Sequence, residues 1–486
     1  MIFNSFTFLF FLIIFLLSYW FLNKNSRLFL VFFSSLLFYG FWRLEFIFLV
    51  LFSITVNYYS SIYISSKKFI SKKKILLSIN LIINFGLLAF FKYYYFISDN
   101  LNYLFKFFEI NFHLPIINIL LPVGISFYIF QSASYVIDVY NKKIEPEKNF
   151  ILFSNYVIFF PQLVAGPILR ASEVIWQLAK KPRFRIENFY GGFKKIIFGL
   201  FLKVVIADNL APFVDQAYSV DSKYLSAIDV FAISYLFGFQ IYFDFSAYSF
   251  IAIGIALLMD IKFPENFNFP YHSISPKEFW TRWHITLSSW VRDYLYLPLL
   301  KIKNLGASTG GFKKNILLNN LSYKYIYVLL MTWSLMGLWH GANWKFIIWG
   351  ITHTMIIILF RCIEKLFVNY KNKYINFFSW LITLQLIMLS WIPFRANNIL
   401  ETLNIWYRLF DFESWFQMSL KENIYLIAFV ITVGSLLLPY IYKLFDKLLF
   451  NYSKLRKFIE MSCLFILITL IIIYFKVINQ FIYFQF

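Results

Sequence analysis

The sequence is short of charge and shorter still of cysteine. Charged residues fill 14% of its 486 positions and hydrophobic ones 60%, where soluble domains carry about 25% charge. That is more apolar side chain than one water-soluble core can bury. The 2 cysteines, Cys362 and Cys463, allow at most one disulfide, and neither stands at a metal-ligand spacing from another Cys or a His. None of the 5 histidines has the i, i+4 spacing of a zinc site with a third ligand, so no metal is expected. There is no Gly-x-Ser-x-Gly elbow for a serine nucleophile and no Gly-rich phosphate cradle. Acidic residues number 24 against 45 Lys and Arg, a formal charge of +21. In so apolar a chain this excess points to cytoplasmic loops and not to nucleic acid. The first apolar run begins at Ile2 without a basic stretch or a small-residue cleavage site, and reads as a span, not a secretory leader.

What is present is a series of long apolar blocks, among them Ile2–Leu22, Phe46–Ile64, Ile75–Ile97, Leu114–Val139, Ile228–Met259, Tyr323–Leu338, Trp344–Phe360 and Phe458–Phe475. They are apolar all round and do not alternate as barrel strands do. The expectation is an all-α, polytopic membrane protein with about 11–12 transmembrane helices, each of about 20 residues. Ile151–Leu169, broken by Pro161, Gly166 and Pro167, reads as re-entrant. Trp283–Leu300 reads as an amphipathic helix at the cytoplasmic interface. Basic loops alternate with neutral ones. Lys67–Lys74, Lys180–Arg185, Lys301 with Lys303, Lys313 and Lys314, and Arg361 with Lys365, Lys371 and Lys373 fall on one side. By the positive-inside rule that side is cytoplasmic, which puts the amino terminus and the turn at Trp339–Asn343 outside.

Polar residues at bilayer depth usually face an interior. Gln131, Ser134 and Asp138 share one helix face, as do Gln240, Asp244 and Tyr248. Asp138 either marks a helix end or serves a site. Asp244 either pairs with Arg282 or Arg292 or lines a pore. His340, three residues before Asn343, is either a satisfied core histidine or a general base, the role to which imidazole is best suited near neutral pH. His113, His272 and His353 carry weaker signals.

These residues fall in stretches that resemble a known family: Leu121-Pro-Val-Gly-Ile-Ser-Phe-Tyr-Ile-Phe-Gln-Ser, Phe160-Pro-Gln-Leu-Val-Ala-Gly-Pro-Ile, Asp244-Phe-Ser-Ala-Tyr-Ser, Pro264-Glu-Asn-Phe-Asn, Phe279-Trp-Thr-Arg-Trp-His-Ile-Thr-Leu-Ser, Leu338-Trp-His-Gly-Ala-Asn-Trp and Trp391-Ile-Pro-Phe-Arg-Ala. In this order they resemble the membrane-bound O-acyltransferases, in the bacterial branch that acetylates alginate and peptidoglycan. Ala247, Phe250 and Thr281 depart from the family's usual Gly, Asp and Arg. The resemblance implies one membrane-embedded domain over 1–486, with a motif-bearing core at 121–394 and flanking helices at 1–120 and 395–486. It implies His340 as the family's invariant histidine and His284 as the second, with Asn343, Asp244, Trp339, Arg282 and Gln240 in support. It implies no bound cofactor, with acetyl-CoA as the cytoplasmic thioester donor. The acceptor it implies is an extracytoplasmic polysaccharide, reached through an exported acetyltransferase partner at a bacterial cytoplasmic (inner) membrane. On this reading Asn343 orients the imidazole or donates to an oxyanion. A D-alanyl transfer protein for teichoic acid and a polysaccharide flippase are the alternatives.

Overall fold

The computed structural model describes residues 1–117, 119–301, 322–366, 372–448, 452–476 and 481. Lys303, Lys313, Lys314 and Lys371 lie outside them. The described chain is helical, and its helices begin where a short polar side chain can take the first free N–H. Ser5 caps Phe6–Phe21, Asn23 caps Lys24–Gly40, Asn149 caps Phe150–Ile158, and Ser322 caps Tyr323–His340. Such caps stabilise a helix by about 1 kcal/mol each.

Among the described residues eight helical runs are long and apolar enough to cross a bilayer: Glu45–Ser65, Lys67–Phe107, Ile186–Tyr218, Ala227–Leu258, Trp344–Glu364, Lys373–Arg395, Glu422–Leu448 and Ser453–Tyr474. This is a multi-pass membrane protein. Among the other blocks expected as spans, Ile2–Leu22 gives a shorter helix, Phe6–Phe21, while Tyr323–Leu338 forms the continuous 18-residue helix Tyr323–His340. Leu114–Val139 becomes helical only at Ile125, after Pro115, Pro122 and Gly124, whose φ is +74°.

The chain forms two compact units. The first comprises Met1–Ile206, Phe243–Glu265 and Met461–Phe486. Here the broken segment after Asn149 is a nine-residue helix, Phe150–Ile158, followed by buried irregular chain. At 1.5 Å per residue that helix cannot span a bilayer. Irregular backbone in such a place needs internal partners, and it has them. Gln131 Nε2 donates to the Tyr156 carbonyl at 2.5 Å, the Phe160 N–H donates to Ser35 Oγ at 3.2 Å, and Tyr156 Oη donates to the Leu169 carbonyl at 3.1 Å. The polar face of Gln131 and Ser134 is therefore structural. Asp138 sits two residues from its helix end and pairs with Lys143 at 3.2 Å. The Glu45–Ser65 and Lys73–Leu88 helices are joined by Asn57, Asn80 and Asn84, all buried and mutually hydrogen-bonded at 3.0–3.2 Å.

Asp244 also lies in this unit. Its partner is Lys203, at 2.7 Å, both side chains at most 2% exposed. The two expected arginine partners are engaged elsewhere, Arg282 by Glu278 at 2.6 Å and Arg292 by Asp293 at 2.8 Å. The lysine reaches Asp244 from a π-helical stretch, Phe201–Ala207, a widening of the helix of the kind frequent at functional positions.

The second unit comprises Ala207–Tyr242 and Asn266–Glu460. It contains a helical hairpin, Tyr323–His340 and Trp344–Leu366. Two glycines set its spacing. A Cβ on Gly337 would strike the Phe346 carbonyl, and one on Gly350 the Trp333 carbonyl. Small residues at such contacts let helix backbones approach closely in a membrane.

Candidate functional site

The Tyr323–His340 helix stops at His340 because Gly341 is extended, with φ −162° and ψ 145°. His340 thus ends one helix and faces the next. It is 4% exposed, and its ring is walled by Trp339 (centroids 4.9 Å apart), Trp349 (5.0 Å) and Phe394 (5.1 Å), all in edge contact. Phe394 is presented by the Trp391-Ile-Pro-Phe-Arg-Ala stretch, whose short helix Ile392–Arg395 is pinned by Lys345 Nζ donating to the Ala396 carbonyl at 2.6 Å. That stretch was recognisable in the sequence, but its contact with His340 was not.

Asn343 is not stacked one helical turn above His340. With the helix ended at His340 the i, i+3 relation does not apply, and the exposed Asn343 accepts the Lys345 N–H at 3.1 Å, capping the Trp344–Leu366 helix. It holds the turn and makes no hydrogen bond to the imidazole.

The segment around His284 is also not one amphipathic helix. Helix Pro276–Arg282 ends, His284 takes a left-handed φ of 42°, and helix Ile285–Val291 begins. Trp283, His284, Leu287 and Trp290 are all buried. The break is held by Asn266, from the Pro264-Glu-Asn-Phe-Asn loop. Its main-chain carbonyl accepts the Ile285 N–H at 3.0 Å. Its Oδ1 accepts the Thr286 N–H at 3.2 Å and the Thr286 hydroxyl at 2.9 Å, and lies 3.1 Å from His284 Nδ1. Since that oxygen only accepts, His284 carries its proton on Nδ1 and turns an unprotonated Nε2 the other way. Burial pushes the imidazole down to about 3, because a charged ring in this dry setting loses its hydration. His284 is a neutral histidine of defined tautomer. Asn266 was visible in the sequence as part of a motif, but its bond to His284 spans 18 residues and follows no local spacing.

Trp339 connects the two histidines: its ring lies 6.2 Å from His284 and 4.9 Å from His340. His340, His284 and Trp339 are therefore brought together. Asn343 is at the turn beside them. Arg282 is half-exposed in its pair with Glu278, and Gln240 is buried in the Ala227–Leu258 helix. Asp244 belongs to the ion pair of the first unit.

Residues 147–400 match the membrane-bound O-acyltransferase family, MBOAT. A probable alginate O-acetylase of Pseudomonas aeruginosa is 35% identical over 443 residues, 91% of this chain and 80% of its own. The chain belongs to the membrane-bound O-acyltransferase family. This acyltransferase is also 34% identical to a peptidoglycan O-acetyltransferase of Helicobacter pylori, over 76% of this chain and 71% of that one. A teichoic acid D-alanyltransferase of Bacillus subtilis is 26% identical over 57% of the chain and 67% of its own. The matched region contains both histidines, Asn266, the glycine-spaced hairpin and Phe394. As an O-acyltransferase, the chain moves an acyl group onto a hydroxyl.

Proposed function

We propose that this acyltransferase takes an acetyl group from a cytoplasmic thioester, acetyl-CoA, and delivers it to hydroxyls of an extracytoplasmic polysaccharide. The bacterial cytoplasmic membrane is its site, with the amino terminus outside and an exported acetyltransferase completing delivery. Support for the orientation comes from the alternation of Lys-rich and neutral loops. Support for the acceptor comes from the similarity to O-acetylases over most of the chain, which exceeds that to the teichoic acid enzyme in both identity and coverage.

The observation that carries the proposal is His340 in its wall of Trp339, Trp349 and Phe394. A hydroxyl attacks a thioester efficiently only if a base accepts its proton as the C–O bond forms. The imidazole of His340 takes that proton, the tetrahedral intermediate collapses, the C–S bond breaks, and the proton passes to the leaving sulfur. Hydroxyl and thioester become ester and thiol, with no net proton gained or lost. The aromatic wall keeps water from competing for the acyl group. His284, with Nδ1–H held by Asn266, stands next to Trp339, the ring that also contacts His340.

The test is acyl ester on the extracellular polymer of cells carrying His340→Ala or His340→Gln. Both variants are expected to be abundant, inserted and inactive, since general base catalysis contributes roughly 10²–10⁴-fold and glutamine keeps a hydrogen bond without accepting a proton. Wild-type acylation by His340→Gln would sink the role. Inverted membrane vesicles given acetyl-CoA and the partner proteins should form product; vesicles that form none would count against the donor.

A further inference from the structure

A third histidine packs against a ring that also contacts His340 and has no part in the transfer described above. His353 is in the Trp344–Leu366 helix, fully buried. Three indoles enclose its ring. Trp333 stacks on it (5.1 Å, 19° between planes), while Trp280 (5.1 Å) and Trp349 (4.6 Å) meet it edge-on. Its Nε2 lies 3.2 Å from Ser390 Oγ, on the Lys373–Ser390 helix. The Ser390 hydroxyl in turn donates to the Ile387 carbonyl at 2.7 Å. With that proton committed, His353 Nε2–H is the donor and Ser390 Oγ the acceptor, and Nδ1 is the bare nitrogen. No described residue hydrogen-bonds to Nδ1. An ionisable ring kept at bilayer depth calls for a functional reading.

The adjoining rings supply one. Trp349 precedes His353 by one helical turn on the same face, and it is the indole that also meets His340 at 5.0 Å. Trp333 and His340 stand seven residues apart on the partner helix, also on one face. The rings therefore run in the order His340, Trp349, His353 and Trp333, the outer two on one helix and the inner two on the other. The backbones behind them are held in close contact at Gly337 and Gly350. Ser390 ties the free edge of the assembly to a third helix. An indole with empty space behind it can tilt, but one backed by a hydrogen-bonded imidazole cannot.

We propose that His353 is a positioning residue for His340, acting through the Trp349 indole against which both imidazoles pack. The inference rests on the reading of His340 as the base. A flat ring in the Trp280–Trp333–Trp349 enclosure keeps Trp349 upright, and Trp349 keeps the His340 ring aimed. Misplacing a reacting group by about 1 Å can lower a rate by about 10²-fold.

The experiment compares His353→Ala, His353→Phe and Ser390→Ala in membranes, following acyl transfer from acetyl-CoA with the partner proteins present. Protein amount is normalised by quantifying the inserted chain. His353→Ala is expected to lose about tenfold or more in kcat with KM for the thioester unchanged, because no donor contact is removed. His353→Phe, which refills the enclosure with a ring, is expected to recover most of the loss. Ser390→Ala, which frees the ring without removing it, is expected to fall between them. Wild-type kcat in His353→Ala, a Phe variant as slow as the Ala variant, or a loss carried by KM would each overturn the proposal. His340→Ala is run alongside. If it stays active the reading of the site fails; if it is inactive while His353→Ala is normal, only the positioning role fails.

Discussion

Asn266 Oδ1 lies 3.1 Å from His284 Nδ1 and accepts two further hydrogen bonds from Thr286. One oxygen thus holds the tautomer of a buried histidine and caps the helix that follows it. The two tasks cannot be altered separately.

Replacing Asn266 by Ala would strand the Thr286 N–H, the Thr286 hydroxyl and the His284 Nδ1–H in a site without solvent. A buried donor left unsatisfied costs about 1–3 kcal/mol, so Asn266→Ala is expected to lower the stability of the purified protein by at least about 2 kcal/mol. Asn266→Asp keeps the acceptors and should be milder. Thermal unfolding in detergent measures both; an Ala variant that unfolds at the wild-type temperature contradicts the assignment.

The same histidine gives a dependence on pH. Its folded pKa is held near 3 by burial, below the ordinary value of about 6.5. Above about 6.5 the ring is neutral in both folded and unfolded chain and contributes no dependence. Between about 6.5 and 3 the unfolded chain binds a proton that the folded chain refuses, so stability falls as pH falls through that window. At pH 5 the loss from His284 is about 2 kcal/mol. His284→Gln removes the titrating group. Its melting temperature should therefore drop less than the wild type's between pH 7 and pH 5. Parallel curves for the two proteins would show that His284 is not the group refused.

The helical, membrane-spanning nature of the chain was legible because apolar runs long enough to span need no tertiary information. His340 and His284 were legible as members of motifs. Asn343 was misjudged because the i, i+3 relation presumes a continuous helix, and Gly341 ends it. The partner of Asp244 was misjudged for a related reason. Arg282 and Arg292 already had carboxylates within four residues, while Lys203 reaches Asp244 from 41 positions earlier. The roles of Asn266, Phe394 and Trp349 depend on chain segments far apart in sequence meeting, which no local pattern records.

The hairpin spacing is open to a controlled substitution. Gly350→Ala and Gly337→Ala each place a methyl group against a backbone carbonyl and should destabilise the protein by about 1–3 kcal/mol. Activity should fall with them, since His340 and two of the three rings that wall it, Trp339 and Trp349, stand on these two helices. Gly86→Ala, where nothing lies within 4 Å, is the control and should be neutral. Equal behaviour of Gly350→Ala and Gly86→Ala, in unfolding temperature and acyl transfer, would count against the close approach.

The Lys203–Asp244 pair bears on how the chain enters the membrane. A lone Lys or Asp at the centre of a span disfavours its insertion by about 2.5–3.5 kcal/mol. The lysine is synthesised 41 residues before its counter-charge. The Ile186–Tyr218 run therefore carries an unneutralised ammonium until the Ala227–Leu258 run has emerged from the ribosome. The two runs gain most by leaving the insertion machinery together, already paired. A chain cut short between them would then be retained at the translocon or degraded, even though every residue of its last span is present.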